Sequence, residues 1–118
     1  MALQIQIDEG GERPFVTARL VGPLSAENAP ALLEALYDPV ATGCVAVDLS
    51  GVTAMDSAGL GILIQLAVRA RTASGRLLLV APQSFVQGVL EVTHLDDWFE
   101  VFPSLEAVEV SSAARRGE

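Results

Sequence analysis

The sequence contains no lysine, and its basic residues are seven arginines. That absence excludes a phosphate-loop lysine, a Schiff-base amine and a Ser–Lys catalytic dyad. It also excludes the lysine that receiver domains of response regulators use, so autonomous ATP chemistry is not expected. A single cysteine, Cys44, forbids an internal disulfide and fits a reducing compartment. No stretch reaches the roughly 18 apolar residues of a spanning helix. The start, Met1 to Asp8, alternates apolar and polar residues instead of forming the apolar block of a signal peptide. A soluble cytoplasmic protein is the expectation.

What is present is an apolar, acidic chain. Its 118 residues are 51% hydrophobic and 19% charged, which suits one folded domain with a real core. The net charge of −8 repels nucleic-acid backbones and anionic membrane surfaces.

Leu3, Ile5 and Ile7 alternate with polar residues, as in a half-buried strand. A turn at Gly10-Gly11 and Pro14 leads to a second strand, with Val16, Ala18 and Leu20 on one face, and the two should pair antiparallel. After Gly22-Pro23, Ser25 is a candidate cap for a helix carrying Ala29, Leu32 or Leu33, and Leu36; Pro30 pushes its regular part to begin near Asn28, and Asp38-Pro39 closes it. Val45-Ala46-Val47 with Leu49 reads as a central strand covered on both faces. A helix from Ser57 to about Ala73 and a buried strand, Leu77 to Val80, follow. Ser84 and Gln87 have capping-box spacing for a third helix. Trp98 to Phe102 reads as a last strand, and Pro103-Ser104 caps a fourth helix through Val110. The expected fold is α/β, in the order ββαβαβαβα: a mixed, mostly parallel sheet of about five strands with about four helices. One domain is expected over residues 1–110, with 111–118 as a frayed tail. Tyr37, Trp98, Phe99 and Phe102 are assigned to the core.

In such sheets the working site lies at the carboxyl ends of the strands, where Ser25, Asp56 and Ser57 fall. The seam Val52-Thr53-Ala54-Met55-Asp56-Ser57-Ala58-Gly59 has three readings. Asp56 or Ser57 is a helix cap. Or Ser57 is a nucleophile, with His94, the sole histidine, as its base, although Met55 breaks the Gly-x-Ser-x-Gly elbow. Or Ser57 accepts a phosphoryl group at the positive end of a helix.

Asp56-Ser57-Ala58-Gly59-Leu60-Gly61 resembles the signature of the STAS family, the anti-sigma-factor antagonists of bacterial partner-switching systems. Val47 to Val52 and Thr93 to Ala107 resemble the same family, so the similarity spans nearly the whole chain. The resemblance implies a transcription regulator of stress responses and not an enzyme, with no cofactor and no metal. Ser57 would be the phosphoacceptor, with Asp56, Ala58 and Gly59 around it. The unphosphorylated form would bind an anti-sigma-factor serine kinase of histidine-kinase-like ATPase fold and free the sigma factor. Phosphorylation would release the kinase, and a PP2C-type phosphatase would reset the switch. The sequence departs from many relatives at Ser25, where they carry an acidic residue, and at His94, where glycine is common.

The helix after Ser57 is apolar on nearly every side. If Leu60, Leu63, Ile64 and Ala67 face the sheet, a partner would meet Ser25, Asp56, Ser57, Gly61, Ile62, Gln65, Leu66 and Arg69; alternatively these helix residues only meet a neighbouring helix. The competing class is a non-switching STAS subunit of a lipid-transport ATPase complex, or a stress-signalling scaffold.

Overall fold

The computed structural model describes residues 2–9 and 14–115, with side chains through Ser111. Five strands form one sheet in the order β1-β2-β3-β4-β5. They are β1 (Gln4–Asp8), β2 (Val16–Leu24), β3 (Cys44–Met55), β4 (Arg76–Val80) and β5 (Glu100–Phe102). The first pair is antiparallel and the other three are parallel. The turn read at Gly10-Gly11 lies outside the described residues.

Each crossover advances the sheet by one strand in the same direction, and crossovers of one hand then collect the intervening helices on one face. These are α1 (Ala29–Leu36), α2 (Pro39–Thr42), α3 (Ser57–Thr72) and α4 (Ser84–Val92). They cover Val45, Val47 and Leu49 of β3 together with Leu77 and Leu79 of β4. The alternate residues, Ala46, Leu78 and Val80, point to the opposite face and meet Val108 of α5 (Leu105–Arg115). Burial on both faces explains the unbroken apolar runs of β3 and β4.

The element order matches the expectation, with details that differ. A single helical turn, α2, follows α1 because Pro39 supplies a ready first-turn φ where the longer helix stops. Helix α1 begins at Ala29 after Asn28, as Pro30 requires, but Ser25 does not cap it with its side chain. Instead the Ser25 carbonyl accepts from the amides of Asn28 and Ala29, and Asn28 Oδ1 accepts from the Ser25 amide at 2.8 Å. The Ser84–Gln87 capping box is not formed, since Ser84 already lies inside α4 and Gln83 precedes it. Ser104 does cap α5, its Oγ accepting from the Ala107 amide at 3.1 Å. That helix continues to Arg115, past the expected end at Val110, while 116–118 lie outside the described residues.

The largest correction concerns α3. Its inward face is Gly59, Ile62, Leu63, Leu66, Ala67 and Ala70. Ile62 and Leu66, expected to face a partner, are buried, and Leu66 is 0% exposed. Leu60 and Ile64, expected inside, are half-buried instead. The phase follows from size. Gly59, Ala67 and Ala70 let the helix lie close to the sheet, and a Cβ on Gly59 would stand 2.3 Å from the Leu24 carbonyl oxygen.

This phase makes a direct stability contrast. Leu66→Ala should cost about 2–5 kcal/mol by cavity formation. Gln65→Ala, on the exposed side, should stay within about 0.5 kcal/mol. Urea unfolding of the two variants measures both; equal effects would contradict the phase.

Candidate functional site

Strand β3 outruns its neighbour. Its last pairing with β4 is Asp48 with Val80, whereas its pairing with β2 continues to Leu24 with Met55. The carboxyl ends of β2 and β3 therefore project together, and the chain turns from Met55 through Asp56 into α3.

Asp56 is the helix cap. Its backbone is extended, with φ −102° and ψ −178°, and its Oδ1 accepts from the Gly59 amide at 2.9 Å. Its Oδ2 accepts from the Ala26 amide at 3.1 Å, across the gap to the loop that follows β2. The Asp56 amide donates to the Leu24 carbonyl at 3.3 Å. One aspartate thus closes the first turn of α3 and ties it to the β2–α1 loop. That loop is ordered in turn by Asn28, whose Nδ2 donates to the Pro23 carbonyl at 2.8 Å.

The structure brings Ser25, Asp56, Ser57, Ala58 and Gly59 together, as the sequence reading expected. Ser57 is the first residue of α3, exposed, and its hydroxyl has no hydrogen-bond partner among the described residues. With Asp56 taking the capping role, the Ser57 hydroxyl is left available for chemistry. His94 does not serve it. Helix α3 starts at the carboxyl edge of the sheet, while α4 runs back toward the amino edge over roughly 13 Å. His94 follows that far end in a left-handed turn with φ +60°, where glycine would be strain-free. A serine–histidine pair is not assembled.

Of the remaining expected partner residues, Gly61, Gln65 and Arg69 lie on the outer side of α3, and Ile62 and Leu66 do not. Arg69 has a local occupation. Its Nε donates to the Tyr37 carbonyl at 2.7 Å, its guanidinium stacks over the Tyr37 ring at 3.6 Å, and it pairs with Asp38 at 3.6 Å. Sequence reasoning missed Tyr37, which is not core but 46% exposed. With Leu33, Ile64 and Val68 it lines a groove between α1 and α3. Phe99 is buried as expected, while Trp98 and Phe102 are only partly buried. Among the described residues, no group of three or more His, Cys, Asp or Glu side chains is placed to hold a metal ion, and no helix is long and apolar enough to cross a membrane.

A mixed five-stranded sheet with a serine opening the helix after its longest strand defines the class of this domain. The STAS domain profile matches residues 5–108, and the chain belongs to that family. Solved structures share the fold. An anti-sigma factor antagonist from Mycobacterium paratuberculosis is 24% identical over 89% of each chain, with a TM-score of 0.76. A putative anti-sigma factor antagonist from Thermotoga maritima is 22% identical over 97% of this chain and 92% of its own, with a TM-score of 0.73. The Bacillus cell fate determinant SpoIIAA in its phosphorylated form is 21% identical over 92% of this chain and 99% of its own, with a TM-score of 0.70.

The Asp56 carboxyl titrates below its ordinary range, because the Gly59 amide first and the Ala26 amide second stabilise the ionised form. A lowered folded-state pKa places this capping contribution above the unfolded value of about 3.9 and removes it as pH falls through the folded value. The Gly59 and Ala26 amide resonances should therefore titrate together, with a midpoint below about 3.9. Separate midpoints would contradict the shared carboxylate.

Proposed function

We propose that this chain is an anti-sigma-factor antagonist whose Ser57 is phosphorylated by an anti-sigma-factor serine kinase of histidine-kinase-like ATPase fold. In its unphosphorylated form it binds that kinase and frees the sigma factor. Phosphorylation releases the kinase, and a PP2C-type phosphatase restores the binding form. The observation that carries this reading is the division of labour at the seam: Asp56 caps α3 and leaves the adjacent Ser57 hydroxyl exposed and, among the described residues, unpartnered.

The electrostatics supply the switch. Phosphate on Ser57 adds about −1.5 to −2 charge at pH 7. In the free protein, water and the first-turn amides of α3 accommodate that charge. Against a bound partner it would be desolvated beside the Asp56 carboxylate, and a penalty of about 1.4 kcal/mol already weakens binding tenfold. No refolding is required.

The partner would also rest on the outer line of α3. Ser57, Gly61, Gln65 and Val68 follow one another at helical spacing and lead to the groove against Leu33 and Tyr37. Val68 is 46% exposed and lines that groove with Leu33, Tyr37 and Ile64, so a partner's apolar side chain would have a continuous surface to cover there.

Incubation with ATP and the candidate kinase should add one phosphate that maps to Ser57, and Ser57→Ala should abolish it. Ser57→Asp should weaken kinase binding by at least roughly tenfold. Stable binding with no phosphate transfer would overturn the switch and mark a non-switching subunit. Separately, Val68→Glu should weaken the kinase complex by on the order of tenfold, through a buried unpaired charge, while leaving the fold intact. Calorimetric titration measures it, and unchanged affinity would remove the groove from the interface.

A further inference from the structure

Beyond Asp48, β3 has lost the strand on its β4 side. Ala81 turns the chain out of the sheet with φ +52°, so β4 ends at Val80 while β3 continues for seven more residues. The carbonyls of Ser50 and Val52 point into the vacated side. Both are taken by one group: Gln83 Nε2 donates to Ser50 O at 2.9 Å and to Val52 O at 2.9 Å. The carboxamide supplies the two donors that a longer β4 would have offered.

The same stretch is where pairing with β2 is least regular. The register shifts between Arg19 and Val21 and again between Gly22 and Pro23. Gly51 sits at the first irregularity, where a Cβ would stand 2.6 Å from the Leu20 carbonyl oxygen. Each such shift locally disrupts the ladder and leaves a residue unpaired, and a slip of one residue reverses every side chain beyond it.

We infer that Gln83 is a positioning residue for the Ser57 seam. Its side chain holds Ser50 and Val52, and so fixes the register in which the end of β3 delivers Asp56 and Ser57. The consequence for phosphorylation rests on the reading of Ser57 as phosphoacceptor. Without Gln83 the competent arrangement is only fractionally populated, which raises the apparent KM of the kinase for this protein and leaves kcat unchanged.

Two variants separate hydrogen bonding from shape. Gln83→Glu keeps the size and loses both donors; Gln83→Lys restores donors. Amide hydrogen exchange across Gly51 to Asp56 should accelerate on the order of tenfold in Gln83→Glu, as loss of two hydrogen bonds implies, with β4 unchanged, and return toward wild type in Gln83→Lys. The kinase KM should follow the same order. Unaltered exchange in Gln83→Glu, equal behaviour of the two variants, or a uniform acceleration including β4 would overturn the assignment. Exchange needs no kinase, so it decides the role of Gln83 even if Ser57 accepts no phosphate.

Discussion

Two hydrogen bonds to the Asp56 carboxylate, from the Gly59 and Ala26 amides, close the first turn of α3 and pin it to the β2–α1 loop. The β2–α1 loop, the tip of β3 and the first turn of α3 meet there, and Asp56 is the one residue through which β3 passes into α3. Its partner in this is steric. Gly59 allows the first turn of α3 to come against Leu24, so that the Asp56 amide reaches the Leu24 carbonyl. Contact sets the position of the helix and the carboxylate sets its start. The exposed Ser57 is a by-product of both.

Much of this was legible in the residues. Period-2 alternation in β1 and unbroken apolar runs in β3 and β4 separate the edge of the sheet from its centre. The Asp56-Ser57 seam declared itself because an aspartate and a serine precede a long apolar helix. The phase of α3 did not. Leu60, Ile62, Leu63, Ile64 and Leu66 are apolar all round the axis, so hydrophobicity carries no direction there. The direction came from size, in Gly59, Ala67 and Ala70, which marks close approach and not burial strength. Tyr37 was misassigned for a related reason: its ring is covered by the Arg69 guanidinium, a contact between residues far apart in sequence. The role of Gln83 depends on β3 being longer than β4, a difference of strand lengths that no local pattern encodes.

The chain's acidity bears on how such a domain works. With a net charge of −8, the molecule already repels anions, and the proposed phosphate at Ser57 would add to the field in one place. The outer line of α3 from Gly61 to Val68 carries no acid, so the proposed partner surface is a neutral stripe that ends at the seam. In the proposed switch, affinity would be set by apolar contact along the helix, and its control by charge at the helix start. The two are adjacent but separable, which is what a reversible switch requires.

In the proposed switch, a phosphate on Ser57 acts through local charge without rearranging the fold. The most direct measurement compares backbone amide NMR spectra of the protein before and after stoichiometric phosphorylation of Ser57. Shifts should be confined to Leu24–Ala26 and Asp56–Gly61, with β4 and α5 unmoved. Shifts spreading through Leu77–Val80 and Val108 would contradict it, because they would mean that the phosphate works by repacking the core.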